Sequence, residues 1–297
     1  MEQSSEYEVI IVGAGPAAWS AATFLARANI KTLVIGDPAQ SGLADAAEVW
    51  NYPGFPKGIS GRELLEQMQE QAVSQGVTFL SGEVVHLEPT NQLTSQPTNQ
   101  FLVRTAKRQD FFAEKILLAH GANFIKTNLP GEKELVGKGV HYCALCDGPL
   151  YKGKSVIVLG NSNLAAEEAL QLAGMGVKVE KIITHSQAAN FSLEYRKLLE
   201  EKNIPIEIRR VEKVEPITFV ALGVASSMTF AQKLGLEMSG NFLKADENGR
   251  TNVTGVWVAG LARGGVNQVG KSVGEGAVAA VDMIKSIKGL PQYLDHS

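Results

Sequence analysis

Cysteine is nearly absent from this chain: two residues in 297, Cys143 and Cys146, and none elsewhere. That excludes a framework of structural disulfides and leaves a lone CxxC, a spacing that in a reducing compartment is catalytic or metal-binding. Histidine is also scarce, at five. A zinc site built on the CxxC needs two more ligands, yet there is no second CxxC, and His86, His120, His141 and His185 show no paired ligand spacing. No metal site is expected. No apolar run approaches the ~20 residues of a membrane-spanning helix. No basic block occurs, and the formal net charge is −3, so neither nucleic acid nor an anionic membrane is an expected partner. The N-terminal "MEQSSEYEVI" is polar and acidic before entering a strand, unlike a secretory signal, so the expected location is cytoplasmic. What remains is a globular composition, 44% hydrophobic and 20% charged, long enough for two domains.

The strongest positive signal is "YEVIIVGAGPAAWSAATFLARANIKTLVIGD". An apolar run, Val9 to Val12, meets Gly13-Ala14-Gly15-Pro16-Ala17-Ala18, then a helical stretch and a second apolar run ending at Asp37. This is the βαβ dinucleotide fingerprint, with Ala18 in the third glycine position. Gly13 permits the tight turn. Gly15 lets a pyrophosphate approach bare backbone, and the helix starting near Pro16 offers it free N–H groups. Asp37 stands where an acid binds a ribose, although Gly36-Asp37-Pro38 is also an ordinary turn.

A second such outline, "SVIVLGNSNLAAEEALQLAGMGVKVEKIITHSQ", follows the cysteines. Its turn reads Gly160-Asn161-Ser162-Asn163-Leu164-Ala165, so Ser162 holds the middle position where a pyrophosphate needs glycine. In the CxxC itself, three-residue spacing suits a short disulfide ring closing at the start of a helix, whose N–H groups and dipole stabilise a thiolate. His141 either tunes the pair or simply serves the turn, the plainer reading.

With "AEVWNYPGFPKGISGRELLEQMQEQA", "LLAHGANFIKTNLPGE", "VHYCALCDG" and "VWVAGLARGGVNQVGKSVGEGAVAAVDMI" in the same order, the chain resembles the low-molecular-weight thioredoxin reductases. The resemblance implies an α/β fold of two Rossmann-like, three-layer domains. An FAD-binding domain of residues 1–118 and 246–297 would be interrupted by an NADPH-type domain, 119–245, that carries the CxxC. It implies a homodimer acting on a protein or small-molecule disulfide. Asn51, Gly121, Gly260, Gln268, Gly276 and Ala277 would join Gly13, Gly15, Pro16, Ala17, Ala18 and Asp37 around FAD. Cys146 would face the flavin, Cys143 would attack the target, and Asp147 would handle the proton.

Several departures bear on the electron donor. The family's HRR-type cluster for the NADPH 2′-phosphate is here His185-Ser186-Gln187-Ala188-Ala189-Asn190, and no arginine follows until Arg196. The β-meander expected after "NIPIEIRRVEKVEP" is missing, and the family's Gly-Asp after "VWVAG" is Gly260-Leu261. Together they resemble an NADPH-independent, diflavin-linked branch, with a second FAD or a ferredoxin-like protein as donor. Trp50, Tyr52 and Tyr142 stand where they would stack on a further isoalloxazine or merely pack. An NADPH-thioredoxin reductase with an atypical nucleotide site is the alternative. A non-enzymatic flavin/thiol redox sensor would carry the same motifs.

Overall fold

The computed structural model describes residues 5–90, 100–184, 190–215, 217–225 and 234–291. The chain divides into two compact units, residues 1–122 with 226–297, and residues 123–225.

The first unit opens with strand β1 (Ser5–Val12), helix α1 (Pro16–Arg27) and strand β2 (Thr32–Gly36). Val9, Ile10 and Ile11 are fully buried, as expected of a parallel strand covered on both faces. Helix α2 (Gly61–Ser74) starts at Ser60, whose hydroxyl accepts from Glu63 N at 3.2 Å, a capped N-terminus. Strands β3 (Thr78–Ser81), β4 (Val84–Pro89), β5 (Phe101–Thr105) and β6 (Asp110–Leu118) complete this stretch.

The second unit begins with the short strand β7 (Asn123–Phe124), a helical turn α3 (Glu132–Leu135), strand β8 (Val140–His141) and a second helical turn α4 (Ala144–Asp147). Strand β9 (Ser155–Leu159), helix α5 (Asn163–Gly174), strand β10 (Lys178–Thr184) and helix α6 (Leu193–Glu201) follow. Strands β11 (Ile206–Ile208), β12 (Thr218–Val220) and β13 (Val224–Ala225) end it. The chain then returns to the first unit with β14 (Met238–Ser239), β15 (Phe242–Leu243), β16 (Val256–Val258) and the 20-residue helix α7 (Val269–Lys288).

The first unit's sheet has the order β3-β2-β1-β6-β5-β4, with β16 parallel to the C-terminal half of β6. Its β3-β2-β1-β6 portion is parallel, and β4-β5 is an antiparallel addition. Helices α1 and α7 pack on one face, around Trp19, Leu25, Trp257 and Met283. Leu234, Leu236 and Leu243 lie in the core on the other face. The second unit has a parallel sheet in the order β11-β10-β9-β12-β8. Both are α/β sheets of Rossmann type, mixed in the first unit and parallel in the second. Between β11 and β12 the described residues contain no strand, as the missing meander predicts. No helix among the described residues is long and apolar enough to cross a membrane.

Candidate active site: a nucleotide cradle and a buried-acid dithiol

In the first unit the fingerprint folds as strand, turn and helix. Gly13 has φ +115°, and a Cβ there would run into the backbone of Ala119 and His120. Gly15 is the N-cap of α1 and has no side-chain cap. A Cβ on Gly15 would meet only Ser41 Oγ, at 3.5 Å, so the space before the helix is open. Pro16 begins the helix, and Trp19 N is the first donor of its ladder, bonded to Gly15 O at 3.1 Å. The N–H groups of Ala17 and Ala18 precede it without an intrahelical acceptor, while both side chains are buried. This geometry fits a dinucleotide pyrophosphate.

Asn51 Nδ2 donates to Gln268 Oε1 at 2.8 Å, joining residues 217 apart in sequence. Gly121 has φ +70°, with no heavy atom within 4 Å of a Cβ placed there. Ala277 is half-buried on the first turns of α7. Asp37 caps a turn, its carboxylate accepting from Ala39 N at 3.0 Å and from Gln40 Nε2 at 3.3 Å. Gly276 is a packing residue, since a Cβ would strike the Ala17 carbonyl where α7 crosses α1. The position of the family's ribityl acid is Leu261, but a carboxylate arrives from elsewhere. Glu275 Oε2 accepts from Gly260 N at 2.9 Å and is ion-paired to Lys271 Nζ at 2.9 Å. Sequence reading did not single out Glu275, which reaches the strand end only through the fold.

In the second unit Cys143 and Cys146 form a disulfide with Cα atoms 5.3 Å apart. Cys143 is the N-cap of α4, and its sulfur accepts from Cys146 N at 3.2 Å. Three acids surround this turn. Asp147 Oδ2 lies 3.0 Å from Nδ1 of His141, off the ideal hydrogen-bond line, and His141 is 2% exposed. His141 Nε2 meets Tyr151 Oη at 2.7 Å. His141 is thus not the turn residue expected: it is buried at the end of β8, beside the acid that follows the thiols. Glu168, on α5, accepts a short hydrogen bond from Ala144 N at the start of α4. Burial pushes its carboxyl up to about 7 against the pull of that N–H, with the charges of Glu167 and Asp147 adding to the rise. Glu132 is buried and accepts from Thr127 N, Asn128 N and the Tyr142 hydroxyl, at 2.9, 2.8 and 2.8 Å. It pins the residue preceding Cys143. The only sequence hints were the Glu of "LPGE" and the doublet Glu167-Glu168. Among the described residues no cluster of His, Cys, Asp or Glu is suited to hold a metal ion.

The second nucleotide-type turn differs from the first. Gly160 is tight against the Ala221 carbonyl and the Ala165 side chain, so it is a packing glycine. Ser162 is the N-cap of α5. Asn190 N donates to Asn161 O and Ser192 N to Asn163 Oδ1, both at 2.8 Å, so the segment after β10 is tied across the turn. Residues 185–189, the departed HRR-type cluster, lie outside the described residues. Arg196 bonds Phe191 O at 3.2 Å and lies over its ring. Arg209, whose N–H bonds Thr184 O at the end of β10, is held by Glu207 and Glu215.

A family model described as "Pyridine nucleotide-disulphide oxidoreductase" matches residues 7–217. The chain belongs to this family. It is 30% identical to the thioredoxin reductase of Bacillus subtilis (strain 168), over 99% of each chain. Thioredoxin reductase from Giardia duodenalis superposes with a TM-score of 0.84 at 26% identity, over 96% of this chain and 100% of that one. The atypical thioredoxin reductase TRi from Desulfovibrio vulgaris Hildenborough is 35% identical, with a TM-score of 0.57, over 97% of this chain and 100% of that one. As a pyridine nucleotide-disulphide oxidoreductase of thioredoxin-reductase type, the chain is an enzyme.

Proposed function

We propose that this enzyme is an FAD-dependent disulfide oxidoreductase whose dithiol reduces a protein or small-molecule disulfide, and that NADPH is not its electron donor. The dithiol reading is supported by the Cys143–Cys146 disulfide at the head of α4, with Asp147 next in sequence. FAD, when bound, supplies a two-electron store. The first unit's residues would hold it: Gly15 and the α1 N-terminus at the pyrophosphate, with Asn51, Gln268, Gly121, Gly260 and Ala277 around the remainder. On the protein side, reduction opens the disulfide at the flavin-facing Cys146 and frees Cys143, Asp147 holds the proton exchanged with the pair, and Cys143 attacks the substrate to give a mixed disulfide.

The single observation that carries the donor reading is the second turn. Ser162 stands at the ligand-facing position, and Asn190 and Ser192 are bonded across the loop. Charge-assisted contacts to a 2′-phosphate contribute roughly 1.5–3 kcal/mol each. Of the described arginines nearest in sequence, Arg196 bonds Phe191 O through Nε and Arg209 is paired with Glu207 and Glu215. The donor is then a second bound FAD or a ferredoxin-like protein. Flavin released by acid and counted per chain separates them: about two for the former, about one for the latter. The competing reading, an NADPH-thioredoxin reductase, is favoured by the pyridine-nucleotide family model, which spans the second turn. Photoreduction of the bound flavin, followed by thiol counting, tests the shared core. Thiols at Cys143 and Cys146 are expected; a reduced flavin above an intact disulfide would remove it.

A further inference from the structure

Behind Asp147 the second unit holds a buried chain of polar groups that the dithiol reaction as stated does not use. His141, on β8, stacks on Phe219, with ring centroids 5.1 Å apart, and meets Tyr151 edge-on at 5.0 Å, the three rings forming one cluster. Its two nitrogens face different partners, Nδ1 toward Asp147 at 3.0 Å and Nε2 toward the Tyr151 hydroxyl at 2.7 Å. With the Tyr151 phenol donating to Nε2, the imidazole carries its proton on Nδ1, which faces Asp147 without being aligned for a hydrogen bond. Tyr151 is half-buried, and exposed Lys154 lies 5.4 Å from its ring centroid, which puts this end of the chain nearer the surface than His141. Burial first, and the Asp147 charge second, raise the Tyr151 phenol, which keeps it a donor.

We propose that Tyr151 and His141 form a proton path from solvent to Asp147, with His141 and Tyr151 as positioning residues that recharge the acid after each opening of the disulfide. This rests on the reading of Asp147 as the acid. When a thiolate attacks Cys143, the S–S bond breaks and its electron pair leaves on Cys146. Asp147 gives Cys146 a proton, and His141 Nδ1 returns one to Asp147. In the same movement Nε2 takes the Tyr151 hydroxyl proton and water restores the phenol; the shift reverses when the disulfide re-forms, which returns the imidazole proton to Nδ1. One proton enters for each thiolate protonated, and the reductant supplies both electrons. The other ionisable groups beside this chain are Glu168 on α5, which feels the charge of Asp147, and Lys154 beside Tyr151.

The test needs no flavin chemistry. The Cys143–Cys146 disulfide of the full chain is reduced by dithiothreitol, which ends as its cyclic disulfide, and thiols are trapped with N-ethylmaleimide and counted by mass. Rate constants are corrected for the thiolate fraction of the reductant. Wild type is expected to stay level from about pH 6 to 8.5, whereas Tyr151→Phe and His141→Gln fall at least about five-fold at the alkaline end and stay within about two-fold at the acid end. Asp147→Asn is expected to be slow throughout. Tyr151→Phe keeps the ring packing, so its result stands even if His141→Gln fails to fold. Profiles of Tyr151→Phe and His141→Gln that follow wild type while Asp147→Asn is slow would overturn the path and spare the acid. An Asp147→Asn profile like wild type would remove the acid and the path together. Glu168→Gln controls for the carboxyl that titrates in the same window; an alkaline fall in Tyr151→Phe that this second change abolishes would assign the effect to Glu168 and overturn the path.

Discussion

Gly13-Ala14-Gly15-Pro16-Ala17-Ala18 in the first unit and Gly160-Asn161-Ser162-Asn163-Leu164-Ala165 in the second occupy the same place, between a buried parallel strand and a helix. Their outer positions do the same work. Gly13 and Gly160 each press against a carbonyl from a neighbouring strand end, Ala119 and Ala221, and Ala18 and Ala165 are both fully buried. The middle position differs. Gly15 faces open space, whereas Ser162 carries a side chain beside a loop tied by Asn190 and Ser192. The packing glycine is retained in both turns and the ligand-facing glycine in one. The two demands on such a turn, packing and ligand approach, fall on different residues, so one can change without the other.

The comparison can be broken first at its packing positions. Gly13→Ala and Gly160→Ala are each expected to cost about 3 kcal/mol or more by denaturant unfolding, since a Cβ meets backbone in both cases and Gly13 also has φ +115°. Similar losses would confirm the shared role. A harmless Gly160→Ala would separate the two turns even in packing.

The ligand positions come next. Gly15→Asp places a Cβ and a negative charge at the open N-terminus of α1. It is expected to lower flavin affinity by about a hundred-fold, measured as flavin retained on purification, with the fold intact by circular dichroism. Ser162→Gly, the mirror-image change, is expected to raise NADPH affinity by no more than a few-fold, because no arginine cluster is restored.

A smaller effect is read in the pH dependence of stability. The carboxyl of Glu168 lies near 4.5 in the unfolded chain and about 7 in the fold, so its contribution is complete below about 4.5 and is lost as pH rises through about 7. Glu168→Gln keeps an acceptor for Ala144 N and should be more stable than wild type above that value, by about 3 kcal/mol at most. His120 has the opposite sign: burial lowers its pKa, so the first unit loses stability as pH falls below about 6.5. His120→Asn should flatten that acid limb.

Much of this was legible in the sequence because it is local. The fingerprint from Val9 to Asp37 folds as strand, turn, helix and strand where its periodicity places them, and the CxxC closes at the head of a helical turn. What was not legible depends on tertiary approach. Glu168 reaches Ala144 N from 24 residues away, Tyr151 reaches His141 across ten, and Glu275 reaches Gly260 across fifteen. No spacing rule predicts those meetings. Asp37 shows a different difficulty: a ribose acid and a turn cap share one sequence, and only the bonds to Ala39 and Gln40 reveal the cap.

The central claim is that this dithiol is fed through flavin by a donor other than a pyridine nucleotide. Anaerobic titration of the purified flavoprotein with NADPH, followed by flavin absorbance, tests it most directly. The account predicts no bleaching at about millimolar NADPH, while dithionite bleaches the same sample fully and liberates two thiols. Rapid bleaching by micromolar NADPH would contradict it.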